Sequence, residues 1–152
     1  MDFNLTEQQK MIQETAKELS FLELSSRAAE TDSTGLFPWD SLRPLAEGDL
    51  MGMLLPPAYG GSGADLLSFV IVAEELAKGC ANTTLVFVTH VAAAQGILLG
   101  GKDEVKKEIL PLLAKGTKLA AWAATEANSG ANILAIETSA KADGHQYTVN
   151  GS

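Results

Sequence analysis

The chain lacks the residues from which disulfide frameworks and metal centres are built. It has a single cysteine, Cys80, and two histidines, His90 and His145, among 152 residues. One thiol cannot form an intrachain disulfide, and two imidazoles are too few for a metal cluster. Because His90 lies in an apolar stretch, we predict a core histidine whose ring nitrogens are hydrogen-bonded. The sequence therefore predicts no metal site.

Basic side chains are also scarce, since 11 Lys and Arg face 19 Asp and Glu and leave a formal net charge of −8. Nucleic-acid binding needs a basic surface, so we expect no nucleic-acid partner. The N-terminus lacks the basic and apolar regions of a signal peptide. The most apolar run, residues 85–99, is shorter than the roughly 20 residues that span a bilayer. We therefore expect a cytoplasmic protein without a membrane span.

Helical periodicity dominates the first part of the chain. Thr6 and Gln9 have the spacing of a capping box, followed by an amphipathic helix that we expect to end near Glu30. We predict further helices from Pro38 to Gly48, after a cap at Asp65 to Lys78, from Asn82 to Leu99, and from a cap at Asp103 to Leu113. The segment 82–99 is ambiguous, because its Thr, Val and Phe residues favour a strand. Its length and alanine tract favour a helix buried on all sides.

After Lys118 the pattern changes to that of strands. Residues 119–125 form a run of small residues that we predict to be a strand. Two further runs, 136–142 and 146–149, flank Asp143-Gly144, a strong hairpin turn signal. Helices first and strands second predict a mainly α chain with two domains. We place a helical domain at 1–116 and the start of an incomplete antiparallel β-domain at 117–152.

Four stretches together resemble the acyl-CoA dehydrogenase family. The stretches are Pro57-Ala-Tyr59-Gly60-Gly61-Ser-Gly63 leading into Ala73-Glu74-Glu75-Leu76-Ala77, the helix from Asp103 to Gly116, the pair Thr125-Glu126, and Tyr147-Thr-Val-Asn150-Gly151. They stand in the order of that family and cover nearly the entire chain. The resemblance implies an N-terminal helical bundle of the acyl-CoA dehydrogenase type, followed by the first strands of its middle β-domain.

The resemblance implies FAD as the cofactor and assigns residues to its site. Trp122, Ala124 and Thr125 would line the flavin, with the Thr125 hydroxyl as a hydrogen-bond donor. Backbone N–H groups beside small residues can approach a flat ring, which suits the charge that develops on a reduced flavin. Gly130 would let the backbone approach the flavin or the pyrophosphate. A core aromatic remains an equal interpretation of Trp122.

The flavin-binding segment departs from the family pattern at three positions. Ala127, Ala131 and Asn132 stand where Pro, Ser and Asp are usual. Ala131 remains a candidate cofactor-binding position, although its lost hydroxyl removes about 1 kcal/mol of hydrogen bonding.

The same resemblance places the acyl chain against the helix at 82–99. Leu85, Val88 and Ala92 would form the wall of that pocket, and core packing explains these apolar residues equally well. The catalytic base of the family is a carboxylate in a C-terminal helical domain. We therefore expect no catalytic residue in this chain, which we interpret as part of a longer protein.

The implied activity is that of an FAD-dependent acyl-CoA dehydrogenase, which oxidises an acyl-CoA to a 2-enoyl-CoA. The resemblance further implies an electron-transferring flavoprotein as the oxidant and a homo-oligomer, usually a tetramer. Two alternatives remain. The first is a relative with other chemistry, an oxidase or a C–S lyase. The second is a stand-alone helical binding module without flavin.

Overall fold

The computed structural model describes residues 4–151 and divides the chain into two compact units, Met1–Ala121 and Trp122–Ser152. The first unit is helical, and the second contains an antiparallel pair of strands. The predicted fold class, a mainly α chain with a helical bundle followed by antiparallel β-structure, is therefore confirmed. The domain boundary predicted after residue 116 concerns which segments fold independently, and it stays a prediction.

The helices of the first unit follow the predicted order. They are α1 (Glu7–Leu19), α2 (Ser25–Thr34), α3 (Trp39–Glu47), α4 (Leu66–Gly79), α5 (Ala81–Gly100) and α6 (Asp103–Ala114). A π-helical turn, Ser20–Leu24, joins α1 to α2 without a break. The helical conformation passes the predicted end at Glu30 and continues to Thr34, whose hydroxyl donates to the Glu30 carbonyl at 2.8 Å. It ends at Gly35, where φ is 64°, a left-handed conformation that favours glycine.

Side-chain caps start two of these helices as predicted. Thr6 Oγ1 accepts the Gln9 backbone N–H at 3.2 Å, and Gln9 Oε1 accepts the Thr6 backbone N–H at 3.0 Å. Asp65 Oδ1 accepts a backbone N–H in the first turn of α4 at 2.6 Å. The cap predicted at Asp103 is wrong, because Lys102 holds the extended N-cap conformation and Asp103 lies inside the first turn. There its carboxylate still favours the positive end of the helix dipole.

The segment between α3 and α4 is irregular, as its prolines and glycines predict, yet it contributes to the core. Met53 is buried, and its carbonyl accepts the Ala64 N–H at 2.8 Å, which folds the segment onto itself. A Cβ at Gly52 would lie 2.7 Å from Cα of Ala114 in α6. Only glycine therefore permits this contact between the loop and α6.

Helix α5 lies at the centre of the bundle, and its helical prediction is confirmed. Its buried side chains are Thr83, Thr84, Phe87, His90, Val91, Ala93 and Ala94. The prediction that α5 is buried on all sides is wrong, because Leu85, Ala92 and Leu99 are exposed. Its length of 20 residues and its apolar composition meet the requirements for a membrane span. The core helix of a soluble bundle meets the same requirements, so this finding is weak evidence for a span.

The second unit contains the predicted hairpin but not the predicted first strand. Strands β1 (Ser139–Asp143) and β2 (Gln146–Asn150) pair antiparallel. Their turn residues are Gly144 and His145, one position later than predicted, with φ of 59° at Gly144. Residues 119–125 are not a strand within 4–151, because no neighbouring strand supplies ladder hydrogen bonds.

Candidate functional site

The predicted acyl wall lies along one strip of α5. Leu85, Val88 and Ala92 follow the spacing of a single helix face. Leu85 is 64% exposed, Ala92 is exposed, and Val88 is half-buried against the core. The structure thus brings these three residues together on an accessible apolar strip, while the core occupies the opposite face of α5. The acyl-binding role stays a prediction, although core packing no longer accounts for Leu85 and Ala92.

His90 lies on the buried face of α5 and is the hydrogen-bonded core histidine that the sequence predicts. Its side chain is fully buried, and Nδ1 accepts the Ala120 backbone N–H at 3.1 Å. Since Nδ1 accepts, the proton belongs on Nε2, which lies 3.2 Å from the Leu113 carbonyl oxygen and donates to it. Burial lowers the pKa of His90 below 6.5, which hydrogen bonds to the Leu113 and Met51 backbones oppose. The ring is therefore neutral, and it connects α5 to the chain that leaves α6.

The acidic side chains near the bundle core are engaged in structural contacts. Glu75 is buried, accepts from Gln13 Nε2 at 3.0 Å and pairs with Lys78 Nζ at 2.8 Å. The Lys78 hydrogen bond is the largest of the causes that lower the pKa of Glu75. Glu74 is exposed and lies 3.4 Å from the same ammonium group. A carboxylate held ionised by these partners ties α1 to α4 and is poorly suited to accept a substrate proton.

The predicted flavin segment offers an accessible row of backbone donors. Trp122 is 62% exposed, Thr125 is exposed, and Ala124 is half-buried. Within residues 4–151, the backbone N–H groups of residues 121–125 have no hydrogen-bond partner in the protein, nor does the Thr125 hydroxyl. Small side chains at Ala123 and Ala124 leave these donors open to a flat ligand. The donor set therefore fits the pyrimidine edge of a flavin.

The loop after this segment carries the other two predicted cofactor positions. Gly130 and Ala131 are both exposed, and a Cβ added at Gly130 would meet nothing within 4 Å. The space above Gly130 is consistent with a close approach of phosphate to the backbone, but it does not by itself require glycine. These two assignments stay predictions.

Two contacts near the candidate site were missed by the sequence reasoning. The first is the hydrogen bond from Ala120 to His90, which spans 30 positions. The second is the carboxylate of Glu126, which accepts the backbone N–H groups of Glu137 at 2.7 Å and Thr138 at 3.0 Å. No local sequence pattern predicts either contact, because each joins a side chain to a backbone group that is distant in the sequence.

Comparison with known proteins identifies relatives of the whole chain. The family model "Acyl-CoA dehydrogenase, N-terminal domain" matches residues 6–117. A short-chain-specific acyl-CoA dehydrogenase of Clostridium acetobutylicum is 36% identical over 100% of this chain and 40% of its own length. An acryloyl-CoA reductase (NADH) of Anaerotignum propionicum is also 36% identical, over 100% of this chain and 39% of its own.

A solved structure shares the fold. It is an acyl-CoA dehydrogenase complexed with FAD from Bacillus anthracis, 31% identical, with a TM-score of 0.86 over 97% of this chain and 26% of its own. The chain spans about two fifths of the length of the curated relatives it matches. The similarity therefore covers both units of this chain and a minor part of each relative.

Proposed function

The chain belongs to the acyl-CoA dehydrogenase family, and from that premise we propose that it forms the N-terminal part of an FAD-dependent acyl-CoA dehydrogenase. That protein would oxidise an acyl-CoA to a 2-enoyl-CoA. The observation that carries the proposal is the accessible row of unpartnered N–H groups at 121–125, beside the small residues Ala123 and Ala124. The FAD complex of the Bacillus anthracis relative supports the choice of cofactor.

Bound FAD would supply the hydride acceptor. The contribution of this chain is to bind and orient the flavin through the Ala124 and Thr125 N–H groups and the Thr125 hydroxyl. Hydrogen bonds from these donors would stabilise negative charge on the reduced ring. Trp122 would cover one part of the ring with its indole.

The exposed strip on α5 would serve the acyl group. Leu85, Val88 and Ala92 present only hydrocarbon, so an acyl tail lying on them would be shielded from water along one side. The strip contains no ionisable side chain. Glu75 and Glu126 are held by other partners and are therefore poor candidates for the proton-abstracting base.

The remaining parts of the proposal concern the setting of the enzyme. We propose an electron-transferring flavoprotein as the electron acceptor, a homotetrameric assembly and a cytoplasmic location. The acyl-CoA dehydrogenase family provides the argument for the first two, and the lone Cys80, which suits a reducing compartment, supports the third.

An oxidase or C–S lyase of the same family is the second candidate. The oxidase is favoured by one observation, namely that the solved structure of a prolyl acyl carrier protein oxidase is 28% identical to this chain, with a TM-score of 0.85 over 97% of this chain and 40% of its own. The bundle and the flavin segment are thus compatible with more than one reaction.

Spectra and turnover of the full-length protein test the proposal. We expect flavin absorbance at a ratio of one FAD per chain, and acyl-CoA-dependent reduction of an artificial electron-accepting dye under anaerobic conditions. Peroxide formation in air without the dye would favour the oxidase. A colourless protein that takes up no added FAD would refute the flavin proposal and favour the helical binding module.

A further inference from the structure

The loop that follows the candidate flavin residues is closed by a single side chain. Glu126 makes hydrogen bonds through its backbone and through both carboxylate oxygens. Its N–H donates to the Ser129 carbonyl at 2.9 Å, and its carbonyl accepts the Ser129 N–H at 3.1 Å. Its Oε2 accepts the Glu137 N–H at 2.7 Å, and its Oε1 accepts the Thr138 N–H at 3.0 Å. One residue thus ties together the start, the middle and the end of the segment 126–138.

The interior of this loop is held by a second hydrogen-bonded residue. Ser129 is buried, and its hydroxyl donates to the Asn132 carbonyl at 3.0 Å. The same carbonyl accepts the Ala135 N–H at 3.1 Å and closes a 3₁₀ turn, Ile133–Ala135. Gly130 and Ala131 lie between these anchored positions. Their backbone conformation therefore depends on the closure of the loop.

The negative charge of Glu126 strengthens its contacts with the two N–H groups. A carboxylate that accepts N–H groups forms charge-assisted hydrogen bonds, which are roughly twice as strong as neutral ones. Hydrogen bonds from Thr138 and from the Glu137 backbone lower the pKa of Glu126, so the group stays ionised at neutral pH. The oxygens face consecutive N–H groups at the entrance to β1, which anchors the loop to the hairpin.

We propose that Glu126 is a positioning residue for the cofactor: its carboxylate holds the loop 126–138 closed and so sets the backbone of Thr125, Gly130 and Ala131 for FAD. This inference rests on the proposed flavin function. Glu126 does not touch the flavin in this scheme. It acts because Thr125 precedes it directly and because the loop it closes carries the other two positions.

The test compares three variants of the full-length protein. Glu126→Gln keeps the shape but replaces one accepting oxygen by a donor, which cannot accept an N–H. Glu126→Ala removes both contacts. Glu137→Gln is the matched control, because it removes the same charge from the same loop while the Glu137 backbone N–H remains available. The Glu137 side chain only accepts from Asn128 Nδ2 at 3.3 Å.

The readout is the Kd for FAD, measured by reconstitution of the apoprotein. We expect Glu126→Gln to raise it roughly threefold, less than the full strength of a charge-assisted hydrogen bond because both contacts are exposed to solvent, and Glu126→Ala to raise it further. Glu137→Gln should bind FAD like the wild type. At saturating FAD, both Glu126 variants should recover kcat, and their KM for acyl-CoA should be unchanged.

Each outcome decides one question. Wild-type protein that binds no FAD would refute the proposed function. Wild-type protein that binds FAD with variants that bind it equally well would refute the role of Glu126 alone. Loss of kcat that added FAD does not restore would show that Glu126 acts elsewhere than on cofactor affinity.

A second measurement tests the proposal without any variant, in case the Glu126 variants do not fold. In the wild-type 152-residue chain, the Glu137 and Thr138 amides should exchange with solvent more slowly than the Thr125 amide, which has no partner within 4–151. Equal exchange of all three would mean that the carboxylate does not hold the loop, and the proposal would be overturned without any variant.

Discussion

Replacement of His90 by Leu tests whether the buried imidazole joins α5 to the chain after α6. The ring accepts from the Ala120 N–H through Nδ1 and donates to the Leu113 carbonyl through Nε2. Leucine has a similar volume, so the substitution mainly removes these two hydrogen bonds. Each buried group left without a partner costs about 1–3 kcal/mol. Because Ala120 is half-buried and its N–H can reach water, we expect a total loss of about 2–4 kcal/mol in the free energy of unfolding.

Two further substitutions divide this loss between the contacts. An Asn side chain places its amide oxygen near the position of Nδ1, and a Gln side chain places its amide nitrogen near Nε2. His90→Asn should therefore keep the contact with Ala120, whereas His90→Gln should keep the contact with Leu113. We expect each to recover about half of the stability that His90→Leu loses. Urea unfolding of the 152-residue chain, followed by circular dichroism of the helices, measures all three.

The pH dependence supplies an independent check. The folded pKa of His90 is lowered from 6.5 by burial, so the folded chain excludes a proton that the unfolded chain binds. The stability is fully present above pH 6.5 and falls as the pH decreases from 6.5 toward the folded pKa, by at most about 1.4 kcal/mol per pH unit. The stability gap between wild type and His90→Leu should therefore be smaller at pH 5.5 than at pH 7.5.

Two results would refute the reasoning about His90. A loss below about 0.5 kcal/mol for His90→Leu would show that the two hydrogen bonds contribute no net stability. A gap that is constant between pH 5.5 and 7.5 would show that the buried ring accepts a proton as readily as the unfolded chain does.

Three other substitutions, two of them with a matched control, test the packing and the acyl strip. Glu75→Ala should cost about 1–3 kcal/mol in urea unfolding, because it removes the buried carboxylate that accepts from Gln13 of α1 and pairs with Lys78 of α4, whereas the exposed Glu74→Ala should change little. Gly52→Ala should cost about 1–3 kcal/mol, because its Cβ would collide with the α6 backbone, and Gly100→Ala, with nothing within 4 Å, should be neutral in the same assay. Ala92→Leu in the full-length protein should lower turnover of bulky acyl-CoA substrates far more than turnover of butyryl-CoA, and equal effects would count against an acyl-binding strip.

Local sequence patterns predicted the elements that local forces determine. The Thr6 capping box, the Asp65 cap and the extent of α5 depend on residues within a few positions of each other, and all three are confirmed. The hairpin was also predicted, although its turn lies one residue later than Asp143-Gly144. In the observed register, Gly144 is the first of the two turn residues and Asp143 is the last residue of β1. This kind of turn needs a left-handed conformation only at its first residue, and Gly144 provides it.

Non-local partners explain what the patterns missed. Residues 119–125 have the composition of a strand, but a strand requires a neighbour, and the Ala120 N–H is taken by His90 instead. Likewise, the carboxylate of Glu126 finds its partners 11 and 12 positions away, at the Glu137 and Thr138 N–H groups. Such contacts depend on where the folded chain brings backbone groups together.

The three alanines of α5, residues 92–94, lie in two different environments. Ala93 and Ala94 are buried and let neighbouring elements approach the helix, while Ala92 points away from the core. Ala93 and Ala94 therefore leave no space for a ligand, because the space beside them is filled by the bundle core. Only Ala92 can widen an acyl site, since a larger residue at Ala93 would overpack the bundle. The breadth of substrates accepted along this strip should thus depend on Ala92 and on its exposed neighbour Leu85, whereas changes at Ala93 should appear as losses of stability.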